Sequence, residues 1–330
     1  MIPKSKQFEI EVGWGKIAGQ IFGDAGTPEK PKFPLICLHG FLDNSNSFRP
    51  LASFLTKNTN YYMICIDFPG MGLSSKISDG IPYSTRFFVM CLRRVTLHFN
   101  LEKFVFLTHS FGCSIALAYS ACYQDQVLGL ALIDFAMKEC NIELRDNLGE
   151  CWREGIEVYL KSEKFMKEKQ KTTPKVELAY DFALKRLLEA NKFIDETAAM
   201  ILLERGLNYV DGKLDYSRDI RLVTGISMRD YHLEFHGVYD CLFKTLSSPV
   251  MLMYATPPPF GQELFDQIMK IMNEIKTNSK SKVELIPVEG THHFHMLKPQ
   301  ETAEIVLKFL EGKFEMNNNQ VSTEPNSSNE

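Results

Sequence analysis

Short apolar runs alternate with segments of helical length over most of the chain, and this alternation limits the possible folds more than any other feature. Two amphipathic segments, Phe8–Val12 and Lys16–Phe22, precede six apolar runs at Pro34–Leu38, Tyr61–Ile66, Phe104–Leu107, Val127–Ile133, Val250–Tyr254 and Val283–Pro287. Segments of helical length lie near 48–57, 85–99, 111–124, 262–277 and 300–315. Strands buried on both faces have continuous apolar runs, and strands that alternate with helices form parallel sheets. The sequence therefore predicts an α/β fold with a mostly parallel, eight-stranded sheet flanked by helices.

One long interval interrupts this alternation. Residues 136–245 contain no convincing strand run, and they are rich in Glu, Lys, Leu and Met at helical spacing. The 330 residues allow about two domains at roughly 150 residues each. We therefore predict a discontinuous catalytic domain at 1–135 and 246–316, with a helical cap at 136–245 inserted after the sixth strand. The Asn/Ser/Glu-rich segment 317–330 is predicted to be a disordered tail.

The composition excludes several classes of protein. The net charge of −4 gives no positive field to hold a polyanion, so nucleic acid is not expected as a partner. The longest apolar runs are far shorter than the roughly 18 residues that a membrane-spanning helix needs. No signal peptide is evident, and the eight cysteines lack Cys-x-x-Cys spacing. These features predict reduced thiols and a cytoplasmic protein.

A serine lies in a sharp turn between a predicted strand and a predicted helix. The segment Thr108-His109-Ser110-Phe111-Gly112 fits the G-x-S-x-G nucleophile elbow, except that Thr108 replaces the first glycine. Such a turn is strained and crowded, and the small residues Gly112 and Cys113 suit it. Ser110 is therefore the candidate nucleophile, and the bulkier Thr108 is expected to shift the turn slightly.

Two backbone amides are candidates for an oxyanion hole. The residues His39-Gly40-Phe41 follow the third predicted strand, and Phe111 follows Ser110. In a nucleophile-elbow architecture, one amide from each of these places binds the anion of the tetrahedral intermediate. We therefore expect the N–H groups of Phe41 and Phe111 to be the two donors.

Three histidines follow the last predicted strand, in Gly290-Thr291-His292-His293-Phe294-His295. His292 is our candidate for the general base, with His295 as the second choice. His293 and His295 are expected to be loop histidines hydrogen-bonded to the backbone. No Cys or second acidic-His cluster completes a site around them, so we predict no metal and no cofactor. Asp67, which follows the fourth predicted strand, is expected to cap a turn.

The acid that would orient the histidine has more than one candidate. The strand after the interrupted interval leads into Ala255–Phe260, which contains no acid; Glu263 and Asp266 come only in the next predicted helix. Asp134 ends the preceding strand, and the order Ser110, Asp134, His292 is the Ser…Asp…His order of this architecture. Asp134 is our first choice, with Glu263 and Asp266 as alternatives. A missing acid or an acid from the cap also stays open.

These motifs, in this order, resemble those of the α/β-hydrolases, at His39–Asn44, Asp67–Ser75, Ser110, Leu130–Asp134 and Gly290–Pro299. The serine hydrolase-like (Kraken-like) group is the closer resemblance, through Gly40–Phe48, Leu202–Gly206, Arg218–Leu222 and Val288–Pro299. The resemblance implies a helical cap over a serine-nucleophile site. It leaves a peroxisomal or vesicular location open, although the terminal Ser328-Asn329-Glu330 is not a Ser-Lys-Leu signal.

Two functions of different class follow. The first is a serine hydrolase that cleaves a small-molecule acyl ester or thioester through an acyl-enzyme. The second is a ligand-binding protein on the same scaffold, which Thr108 and the acid missing after the interrupted interval would favour. A serine nucleophile argues against dehalogenase and epoxide-hydrolase chemistry, which relies on an aspartate at that position.

Overall fold

The computed structural model describes residues 4–135, 179–210, 213–223 and 245–311, with single helical positions between 153 and 164. The predicted tail 317–330 and much of the predicted cap therefore lie outside the described residues. The division into a catalytic domain and a cap stays a prediction.

An eight-stranded sheet forms the centre of the fold, as predicted. Its strands are β1 (Ser5–Val12), β2 (Gly15–Phe22), β5 (Phe33–Leu38), β6 (Tyr61–Ile66), β7 (Phe104–His109), β8 (Val127–Ile133), β11 (Val250–Thr256) and β12 (Val283–Glu289). The order across the sheet is β1-β2-β6-β5-β7-β8-β11-β12. The pairs β1–β2 and β2–β6 are antiparallel, and all other pairs are parallel. The mostly parallel α/β prediction is confirmed.

Several strands are longer than the apolar runs that predicted them. The run that ended at Leu107 continues as a strand to His109, which pairs with Ile133. The ladder of backbone hydrogen bonds thus continues into polar residues, which an apolar pattern does not mark. A short hairpin of β3 (Gly26–Thr27) and β4 (Lys30–Pro31) was also missed.

Helices and apolar side chains cover both faces of the sheet. The helices are α1 (Arg49–Thr56), α2 (Thr85–His98), α3 (Phe111–Cys122), α4 (Tyr180–Ala190), α5 (Glu196–Gly206), α6 (Ile220–Val223), α7 (Gln262–Asn278), α8 (Phe294–Leu297) and α9 (Pro299–Leu310). Alternate residues of one strand enter different cores: Ile36 and Leu38 pack on one face, and Leu35 and Cys37 on the other. The helix predicted over 300–315 ends at Leu310, because Glu311 is extended.

The described part of the insertion contains strands, so the prediction that 136–245 lacks them was wrong. β9 (Leu207–Val210) and β10 (Lys213–Tyr216) form an antiparallel pair after α5. Each strand has only four residues, too few for a period of two to stand out from the helical pattern around them. Asp195 begins α5 by accepting a hydrogen bond from the amide of Ala198, the usual role of an N-cap aspartate.

Candidate active site

Ser110 occupies the turn between β7 and α3. Its φ of 51° and ψ of −116° are uncommon for a residue with a side chain, and its amide donates to the Ile133 carbonyl at 3.0 Å. Such strain persists only where surrounding contacts hold it. Gly112 allows this close packing, because a Cβ there would lie 2.2 Å from the Leu38 carbonyl oxygen. The fully buried Thr108 donates its hydroxyl to Cys113 Sγ at 3.3 Å.

The two expected oxyanion donors belong to residues that lie side by side. Phe41 follows β5, Phe111 begins α3, and their ring centroids are 5.7 Å apart. Both residues line the cavity that also contains Ser110. Leu42, the next residue after Phe41, has a φ of 63°. The structure thus brings the two predicted loops together around Ser110.

Of the candidate acids, Asp134 is the one that contacts the histidine. Its Oδ2 lies 2.5 Å from His292 Nδ1, and its Oδ1 accepts a hydrogen bond from the amide of Ala255 at 2.7 Å. Glu263 and Asp266 are exposed on α7, where Asp266 accepts a hydrogen bond from Gln262 at 2.7 Å. The fixed carboxylate holds the proton of His292 on Nδ1 and leaves Nε2 as the basic atom.

Burial sets the ionisation of this pair. It raises the pKa of Asp134 to about 6. Burial, together with the neighbouring His293, lowers the pKa of His292 well below its ordinary value. At neutral pH the resting pair is therefore a carboxylate and a neutral imidazole, the state that a general base requires.

Ser110 and His292 line one cavity of about 480 Å³. Within the described chain no hydrogen bond joins Ser110 Oγ to His292, and such contacts often form only when substrate is bound. Apolar side chains of α4 and α5 form part of the wall, and the charged lining residues include Arg186 and Arg218. Leu202 and Leu203 belong to this wall, so α5 helps to shape the cavity.

The other two histidines of the 290s bond to side chains, so the expectation of backbone partners was wrong. His293 Nε2 lies 3.1 Å from Asp43 Oδ2, and His295 Nε2 lies 2.8 Å from Ser47 Oγ. His109 joins this group: its Nε2 donates to the His292 carbonyl at 2.9 Å, and its Nδ1 lies 3.6 Å from Asp43 Oδ2. Buried Asp43 and two histidines thus form a cluster that sequence reasoning said was missing.

The pKa values of His109 and Asp43 in this cluster differ from their ordinary values. Burial lowers the pKa of His109 to about 3. Burial alone would raise the pKa of Asp43, but His293 and His109 hold it well below its usual value. The sequence carries only a partial signal for the cluster: Asp43, His109 and His293 all lie at or just beyond the carboxyl ends of predicted strands, but no pattern pairs them. In α/β sheets these ends meet at one edge.

Asp67 caps a turn as expected and also forms a buried ion pair that was not expected. Its carboxylate accepts hydrogen bonds from the amides of Ser45 and Leu73, at 2.8 and 2.9 Å. Arg205 of α5 donates to the same carboxylate through Nη2 at 2.5 Å and Nε at 3.1 Å. This pair ties the insertion to the loops beside the sheet.

The comparisons agree with this architecture. The family model described as alpha/beta hydrolase fold matches residues 34–176. A serine hydrolase-like protein of Danio rerio is 29% identical, over 93% of this chain and 89% of its own. A serine hydrolase-like protein of Homo sapiens is 32% identical, over 56% of this chain and 83% of its own. A crystal structure of a hypothetical protein from Pseudomonas aeruginosa superposes with a TM-score of 0.70 and 21% identity, covering 92% of this chain and 99% of that one.

Among the described residues, no helix combines the length and the apolar character needed to cross a bilayer. The sheet order, the family match and the relatives lead to one assignment. The chain belongs to the α/β-hydrolase fold family, in the group of serine hydrolase-like proteins.

Proposed function

We propose that the protein is a serine hydrolase that cleaves a small or medium acyl ester or thioester through an acyl-enzyme intermediate. The observation that carries the proposal is the 2.5 Å contact between His292 Nδ1 and Asp134 Oδ2, in the cavity that Ser110 also lines. A neutral histidine oriented by a carboxylate beside a strained serine is the arrangement that activates a serine nucleophile.

In the acylation step, Ser110 Oγ attacks the substrate carbonyl carbon and His292 Nε2 takes the hydroxyl proton. The amides of Phe41 and Phe111 donate hydrogen bonds to the oxyanion, and loss of one such donor typically costs 10²–10³-fold in rate. Asp134 stabilises the imidazolium that forms. When the tetrahedral intermediate collapses, His292 gives its proton to the leaving alcohol or thiol.

In the deacylation step, His292 takes a proton from water, and the water oxygen attacks the acyl carbon. The second tetrahedral intermediate uses the same oxyanion donors, and its collapse returns the proton to Ser110 Oγ. The mostly apolar wall of the cavity suits the acyl chain. The reaction needs no cofactor.

Labelling with a fluorophosphonate probe tests the proposal. We expect the wild type to be labelled and the variant Ser110→Ala to lose labelling. Ser114→Ala is the matched control, because Ser114 lines the same cavity four residues further along, in helix α3, and its substitution should leave labelling intact. A folded wild type that neither reacts with the probe nor cleaves p-nitrophenyl esters contradicts the proposal.

Two features of the sequence favoured the alternative, a ligand-binding protein on this scaffold. The contact between Asp134 and His292 weighs against one of them, the apparent lack of an acid. Thr108 remains, but it fits the turn through its hydrogen bond to Cys113. Ligand affinity that is unchanged in Ser110→Ala, with no turnover in the wild type, would favour this alternative.

A further inference from the structure

We propose that Asp43, His109 and His293 form a binding site for a borderline divalent cation, with Zn²⁺ as the ion that the donor set suits. The three side chains offer one donor atom each, and these atoms lie within 4.8 Å of one another. The site shares its cavity with Ser110, but its donor atoms are not those of the proposed serine chemistry.

Two of the three distances between donor atoms are near those around a tetrahedral zinc ion, and all three atoms lie within 4.8 Å of one another. Asp43 Oδ2 lies 3.1 Å from His293 Nε2 and 3.6 Å from His109 Nδ1. Ligands at roughly 2.0–2.2 Å from a tetrahedral zinc ion are about 3.3–3.6 Å from one another. Two imidazoles and a carboxylate are a common protein donor set for zinc when a fourth position stays open.

The hydrogen bond of His109 leaves its other ring nitrogen, a potential metal ligand, with a lone pair directed at the carboxylate of Asp43. His109 Nε2 must carry a proton, because it donates to the carbonyl oxygen of His292. In the neutral ring that burial favours, His109 Nδ1 then has a lone pair that faces Asp43 Oδ2 with no hydrogen-bond partner. A lone pair beside a buried carboxylate is unfavourable unless a cation lies between them. A hydrogen bond of this kind, from the second ring nitrogen to a backbone carbonyl, is typical of a metal-bound histidine.

His293 can become a ligand through a change of tautomer. In the described structure its Nε2 approaches Asp43, and its buried Nδ1 has no hydrogen-bond partner. A tautomer with the proton on Nδ1 gives up the hydrogen bond from Nε2 to Asp43, and the ion takes the place of that proton between the two groups. The change of tautomer frees the Nε2 lone pair for the ion.

The surrounding backbone leaves space for an ion and a path by which it can reach the three side chains. A Cβ on Gly40 would lie 2.7 Å from His109 Nδ1 and 3.1 Å from Asp43 Oδ2, so the missing side chain keeps the space beside these two atoms open. Gly40, Asp43, His109 and His293 all line the cavity. An ion can thus enter from the cavity, and a water molecule can fill its fourth position.

The test is a titration of the untagged, full-length protein with Zn²⁺ after removal of metal by a chelator. We expect one saturable site by calorimetry in the wild type. Loss of an outer-shell partner typically weakens metal binding 10- to 100-fold, so Asp43→Asn and His293→Gln should weaken it at least about 100-fold. His295→Gln is the matched control, since it alters a buried histidine of the same loop and should leave affinity unchanged. Ser110→Ala should also bind normally.

X-ray absorption of the wild-type Zn²⁺ complex gives a measurement that needs no variant. It should show two imidazole nitrogens at about 2.0–2.1 Å. Three results would each overturn the proposal: no saturable binding in the wild type, affinity unchanged in Asp43→Asn and His293→Gln, or fewer than two imidazole ligands.

Discussion

Removal of the Arg205 side-chain charge should destabilise the protein far more than removal of a comparable charge on the protein surface. Arg205 and Asp67 are both buried, with exposed fractions of 6% and 0%. The variant Arg205→Met keeps a long side chain and removes the cation, which leaves the buried carboxyl group of Asp67 without its counter-charge. Breaking a buried pair from one side typically costs about 3–5 kcal/mol in the free energy of unfolding.

The expected shift in melting temperature follows from the size of the chain. Unfolding entropy is about 2.1 cal/mol/K per residue, so a chain of 330 residues has roughly 0.7 kcal/mol/K. A loss of about 3–5 kcal/mol therefore lowers the melting temperature by about 4–7 °C. Thermal unfolding followed by circular dichroism measures this shift directly.

Arg49→Met is the matched control, because Arg49 pairs with Glu204 of the same helix α5. The Glu204 side chain is half exposed, and solvent screens the pair. Exposed pairs contribute at most about 1 kcal/mol, so this variant should lower the melting temperature by less than about 2 °C.

A further variant separates the cause. If the cost comes from an uncompensated carboxylate, the double variant Arg205→Met/Asp67→Asn should be no less stable than Arg205→Met alone. Equal shifts in melting temperature for Arg205→Met and Arg49→Met would refute the reasoning. A double variant whose loss of stability equals the sum of the losses in Arg205→Met and Asp67→Asn would also refute it.

Three predictions concern the candidate site. Esterase activity, measured with a chelator present, should fall as the pH drops through about 6, because Asp134 is a carboxylate only above that value; an acidic limb centred near pH 4 would contradict this. Asp134→Asn should lower kcat by about 10⁴-fold through the wrong histidine tautomer, whereas Glu263→Gln should leave kcat unchanged. Gly112→Ala should abolish probe labelling, since its Cβ would lie 2.2 Å from the Leu38 carbonyl oxygen, and unimpaired labelling would show that the elbow relaxes easily.

The sequence predicted the sheet and the catalytic candidates because both depend on local patterns. A buried parallel strand is a continuous apolar run, and the chain marks its end with a polar residue. Ser110, Asp134 and His292 each follow such a run. Parallel strands place these ends at one edge, so strand order and motif order favoured Asp134, the acid that contacts His292, over the acids of α7.

The cluster of Asp43, His109 and His293 and the pair of Asp67 with Arg205 were beyond the reach of such patterns. Arg205 lies 138 positions from Asp67, and His293 lies 250 positions from Asp43. No regular spacing in the sequence relates the two residues of either pair. Each contact depends on how loops converge above the sheet. Polar residues after strands have many local uses, such as caps and turns, so residue type alone does not select a distant partner.

Backbone strain is concentrated at three neighbouring strand ends, and this concentration links the fold to the proposed chemistry. Leu42, Ser110 and Asp134 follow β5, β7 and β8, which are adjacent in the sheet, and their φ values are 63°, 51° and 43°. The sheet holds two of these residues directly, because the amide of Ser110 donates to the carbonyl of Ile133 and that of Asp134 to the carbonyl of Met253. Each strained residue of this kind costs about 1–3 kcal/mol and persists only where its surroundings fix it. The rigid parallel ladder therefore supplies the positions of the proposed nucleophile, acid and oxyanion loop together, which explains why the candidate site lies at this edge of the sheet.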